Sequence, residues 1–245
     1  MTETSAPRRR RSTVSPRPAP RPRRRPEWLV PTGLILLAVV PMIAGTRRLT
    51  ELSTGAAVTP ENARFFDSPV PVVVHIVASV VFLVVGALQF VPSLRRRRWH
   101  RISGRVLAPA GLAAALSGMW MAVFYDLPDS NGPALLAMRL VFGTVMAVAI
   151  VVAFLAIRRG DVVTHSAWMT RAYAIGLGAG TQVFTFLPWT LVLGEPGPTA
   201  TALLMGAGWV LNLAVAEVVI RRRARRMPRR SRPNGRSAAT GALLS

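Results

Sequence analysis

Six apolar blocks of roughly bilayer length divide this sequence, and they constrain its fold more than any other feature. They run over about 28–45, 70–91, 102–125, 133–157, 172–193 and 200–220. A helix needs about 20 residues, at 1.5 Å rise each, to cross a hydrocarbon core of about 30 Å. Only helices and closed barrels satisfy every backbone group in lipid, and blocks this long and continuous suit helices. The sequence therefore predicts an all-α, integral membrane helical bundle of six spans.

The charged residues punctuate the blocks. All 31 basic residues are arginine, against 10 acids, giving a formal charge of +21. A soluble chain so basic would suggest a nucleic-acid binder, but here the arginines lie between blocks or in the tails, and no specific nucleic-acid partner is expected. Arg8–Arg25, Arg95–Arg105, Arg158 with Arg159 and Arg171, and Arg221–Arg236 fall on alternate connections. The connections DLPDSNG and GEPGP carry acids and no arginine. The positive-inside rule then puts both termini in the cytoplasm. The first block could be the h-region of a signal peptide ending near Ala44, but its length and long basic prelude argue for a retained helix.

Residues 1–26 hold nine arginines and six prolines and bury too little apolar surface to order themselves. This segment and residues 221–245 read as disordered arginine-rich cytoplasmic tails, expected to bind anionic lipid headgroups. Cysteine is absent, which excludes disulfides, thiolate metal sites and cysteine nucleophiles. No phosphate-binding glycine loop, serine elbow or HExxH motif occurs, so enzymatic chemistry of those kinds is not expected.

Two cytoplasmic stretches carry the remaining chemistry. RRRRWHRISGRV (95–106) and THSAWMTR (164–171) each set a histidine, His100 or His165, five or six residues before an arginine, Arg105 or Arg171. With Arg101 and Asp161 they form a candidate cluster for an anionic ligand, a lipid headgroup or a partner. Alternatively, His100 and His165 are the axial ligands of a b-type haem, with Arg105 and Arg171 neutralising its propionates. The plainest reading, that these residues cap helices and enforce topology, stays open beside both. So does small-molecule or ion transport, although no internal repeat supports it.

Polar residues also stand inside the blocks: His75, Gln89, Arg139, Gln182, Asn212 and Glu217. His75 lies about 24 Å along its helix from the cytoplasmic end near Val91, too far to share a small ligand with His100 or His165. Any soft partner for it would come from Met42, Met119, Met121 or Met138. Arg139 is expected to snorkel toward Asp126, Asp129 or Glu195, and Glu217 to reach Arg221 or water. Gln182 and Asn212 fall near mid-membrane and should face the bundle interior, with each other as candidate partners. Small residues at spacing four, among them Ala114 with Gly118 and Gly176 with Gly180, predict close helix packing.

His75 with GALQF (86–90), HRISGRV (100–106), RRGD (158–161) and HSAWMTRAYA (165–174) resemble the bacterial membrane-protein family called domain of unknown function twenty-three zero six. The resemblance spans roughly residues 70–220 and implies a multi-pass protein of the bacterial cell membrane, with no assigned reaction. Where the family carries an arginine after the last motif, this chain has GTQV, with Gln182 in that neighbourhood.

Overall fold

A computed structural model describes residues 26–95 and 98–226. Of the tails expected at 1–26 and 221–245, residues 1–25 and 227–245 lie outside the described residues. All regular structure among those described is helical. The long helices are α1 (Leu29–Thr54), α3 (Pro69–Leu88), α5 (Arg98–Phe124), α6 (Pro133–Arg158) and α9 (Pro198–Arg226). Two short helices, α2 (Ala63–Asp67) and α4 (Pro92–Arg95), sit in connections. The fifth span is built from α7 (Val162–Gly176) and α8 (Gly178–Leu193), bent by 42° at their junction. Five helices are long and apolar enough to cross a membrane, or six with the bent pair counted as one span.

Helices α3, α5, α6 and α7 pack in sequence around a central core, with α9 against α6, α7 and α8, and α1 against α3 and α8. Phe82 of α3 fills the centre, 1% exposed, with Leu107, Ile150 and Tyr173 in the same cluster. The Tyr173 ring lies 5.8 Å from that of Phe82 and 5.2 Å from that of Phe90, and its hydroxyl donates to the Leu83 carbonyl at 2.9 Å. Leu36, Ile43, Val70, Phe184, Leu191 and Val192 instead point outward and are more than half exposed. Water would penalise so much apolar surface, whereas lipid accepts it.

Several boundaries differ from expectation. The helix of the first block continues nine residues past 45, because Arg47 and Arg48 both pair with Glu51 across one turn. The fifth span begins at Val162, ten residues before the apolar block. Gly160 adopts φ 77°, and Asp161 then caps the new helix by accepting the Thr164 N–H at 3.0 Å. His165 and Arg171 are thus helical residues. At the other end, Arg221 to Arg226 extend α9 into the segment read as tail.

The small-residue stripes serve packing. A Cβ on Gly180 would collide with the Leu37 carbonyl of α1, so only glycine lets α8 approach there. Gln182 and Asn212 both face inward but do not pair. Gln182 donates to the Met205 carbonyl at 3.1 Å, while Asn212 donates to Ala174 O at 3.1 Å and accepts from the Thr181 hydroxyl at 2.7 Å. Each amide thus ties the bent span to α9 and is satisfied within the bundle.

Candidate functional site

Several residues of the His/Arg cluster anticipated in the sequence have defined partners. His165 places Nδ1 3.0 Å from the Ala153 carbonyl of α6. Asp161 caps α7; the Thr164 hydrogen bond holds its carboxyl below the usual range. Arg171 is taken up by Glu217, with Nε–Oε1 at 2.5 Å and Nη2–Oε2 at 3.2 Å, and lies 4.8 Å from the Trp168 ring. Glu217 therefore bonds Arg171 of α7 rather than standing with Arg221 or water alone. Arg101 and Arg105 are exposed on α5. Gln89 ends α3 and donates to Ser103 Oγ at 2.7 Å; Ser103 in turn donates to the Trp99 carbonyl beside His100.

The large cavity lies toward the opposite end of the bundle. Its volume is about 520 Å³, within the range of small-molecule sites. Neither His100 nor His165 lines it, but three of the intramembrane polar residues do: His75, Arg139 and Gln182. They come from α3, α6 and α8. Met42, Met119 and Met121 also line it, whereas Met138 is absent from its wall and has its sulfur beside Gly206. Phe142 and Trp209, stacked at 4.7 Å, supply an aromatic wall.

Two guanidiniums face this space. Arg139 does not reach Asp126, Asp129 or Glu195; it donates to Asn131 Oδ1 at 2.7 Å, with the Met205 sulfur 3.9 Å away. The reason is local: Asn131, in the connection just before α6, brings an amide oxygen within hydrogen-bond reach of Arg139. Arg64 of α2 donates to the Asp126 carbonyl at 3.3 Å and stacks 4.6 Å from the Phe65 ring, and its buried Nε has no hydrogen-bond partner among the described residues. Among the described residues lining the cavity, none is Asp or Glu. Tyr125 closes one edge by donating to the Ser68 carbonyl at 2.6 Å.

His75 is fixed by its neighbours. Its Nδ1 lies 2.9 Å from the Ala114 carbonyl, and Ser117 Oγ is 3.3 Å away. A carbonyl only accepts, so Nδ1 carries the proton. Gly118 makes room for the ring: a Cβ there would stand 3.0 Å from His75 Cε1. The bend between α7 and α8, flanked by Gly176 and Gly178, turns Gln182 and Ala179 into the wall.

Residues 72–220 match the family described as predicted membrane protein, DUF2306. The chain belongs to this family. The matched DUF2306 region begins within α3 and covers every helix from there into α9, so it includes His75, Arg139 and Gln182 but neither Arg64 nor α1. No curated protein and no solved structure matches the chain. Sequence reading singled out His75, Arg139 and Gln182 one by one but missed Arg64, Asn131 and Trp209. Arg64 stands in the 46–69 connection, where Arg47, Arg48 and Arg64 are mixed with Glu51, Glu61 and Asp67 and no single residue stands out.

Proposed function

We propose that this chain is a membrane-embedded binding protein whose cavity receives an amphipathic molecule with an anionic head. The observation that carries this reading is the pair Arg64 and Arg139 on an apolar cavity with no carboxylate among the described residues that line it. A guanidinium at membrane depth costs several kcal/mol unless it is paired or reaches water. Neutral partners such as Asn131 relieve part of that cost, and an anion would relieve the rest while its alkyl chain lies along Phe142, Met146 and Trp209.

By the same reading the protein resides in a bacterial cytoplasmic membrane with both termini inside, its arginine tails drawn to anionic lipid. The cavity then opens toward the outer half. His100, His165 and their arginines act mainly in capping and topology, given the partners of His165, Asp161 and Arg171.

Calorimetric titration of the protein in zwitterionic nanodiscs tests this proposal. Laurate and dodecyl phosphate should each bind saturably at one site, dodecyltrimethylammonium should not, and Arg139→Gln should weaken both anions at least about tenfold, the loss of one charge-assisted contact. Equal binding of the cation and the anions would contradict the proposal.

A further inference from the structure

We infer that His75 reads a hydroxyl on the ligand, so that the cavity takes a hydroxylated anionic amphiphile. The inference rests on the anion reading of Arg64 and Arg139 and adds a second recognition element to it. With its Nδ1–H given to Ala114, the neutral imidazole keeps its lone pair on Nε2. No hydrogen bond from another described residue satisfies that nitrogen, and the part-buried ring lines the cavity. An acceptor open to a largely apolar cavity is free to accept from an occupant that supplies a hydroxyl, and an occupant that covers it without a donor loses that bond.

Position supports the pairing of the two elements. His75 is six residues into α3 from Pro69, and Arg139 is six residues into α6 from Pro133. At 1.5 Å per residue each lies about 9 Å below the start of its helix. Both helices start at the same end of the bundle, so an anionic group at Arg139 and a hydroxyl at His75 belong at one depth. They therefore fit one head group, with the alkyl chain running beyond it. Ser117 donates its own hydroxyl to the Ala113 carbonyl at 2.5 Å, so its proton is not given to the imidazole. Gly118 holds open the space beside the ring. A site built around a hydroxyl discriminates strongly against an analogue that lacks it, because its own polar group is then left bare.

The test compares laurate with 2- and 3-hydroxylaurate, equal in charge, on the full chain in zwitterionic nanodiscs. At least one hydroxy acid should bind ten times or more tighter than laurate. That advantage should fall below about twofold in His75→Phe and persist in part in His75→Gln, which keeps an acceptor. Arg139→Gln should weaken all three acids alike. Equal affinities of laurate and both hydroxy acids for the native chain would overturn the hydroxyl inference and leave the anion site standing. Failure of all three to bind would instead overturn the anion reading. If His75→Phe does not fold, as judged by size-exclusion chromatography, the comparison on the native chain decides alone.

Discussion

Arg171 on α7 and Glu217 on α9 form a two-point ion pair, with side chains 25% and 33% exposed. It joins the first half of the bent span to the second half of the last helix, where the sequence alone offered Glu217 only Arg221 or water. A partly exposed pair of this geometry contributes about 1 kcal/mol. Glu217→Gln should lower the melting temperature by about 2–4 °C. The swap Arg171→Glu with Glu217→Arg should recover more than half of that loss. Thermal melts that do not distinguish the single variant from the native chain would show the pair to be dispensable.

The two glycines of α5 separate by environment. A Cβ on Gly104 meets nothing within 4 Å, so Gly104→Ala should stabilise by up to about 1 kcal/mol through helix propensity. Gly118→Leu drives a side chain onto the His75 ring and should weaken cavity ligands at least about tenfold without unfolding the helix. Binding and melting measured on both variants check the contrast.

Tyr173 holds the middle of the bundle. Tyr173→Phe removes the hydrogen bond to Leu83 and should cost about 1 kcal/mol. Tyr173→Ala leaves a void beside Phe82 and Phe90 and should cost about 3–5 kcal/mol. Denaturation in mixed detergent would read the two losses, and equal losses would contradict the packing described.

Asp161 gives the start of α7 a pH dependence with a defined sign. Its folded carboxyl is held below its ordinary value, first by the Thr164 hydrogen bond. The cap's contribution is therefore complete above the unfolded pKa of about 4 and is lost as pH falls through the depressed folded value. Amide-exchange protection factors at residues 162–165, taken against the intrinsic rate at each pH, should fall on acidification below about pH 4 in the native chain and be low and flatter with pH in Asp161→Ala. The same acid profile in both would remove Asp161 as the cause.

How far the sequence carried the structure depends on what kind of signal each feature has. Spans such as 133–157 were legible because hydropathy and arginine placement are local properties. The start of α7 was not, since Val162 to Arg171 is mixed in polarity and only the Gly160 turn and Asp161 cap reveal a helix. Likewise His75, Arg139 and Gln182 stood out as polar residues in apolar blocks, yet nothing local says that α3, α6 and α8 turn them to one cavity. That convergence follows from the bend after Gly176 and from Gly180 letting α8 lie against α1, both properties of packing.

The most direct measurement of the central claim uses Trp209, which lines the cavity. Its fluorescence, taken as native minus Trp209→Phe, should be quenched saturably by 12-bromododecanoate and restored by excess laurate. It should respond little to neutral 12-bromododecanol, and quenching by the acid should require at least tenfold more ligand in Arg139→Gln. Equal quenching by acid and alcohol, unaffected by Arg139→Gln, would contradict an anionic amphiphile site.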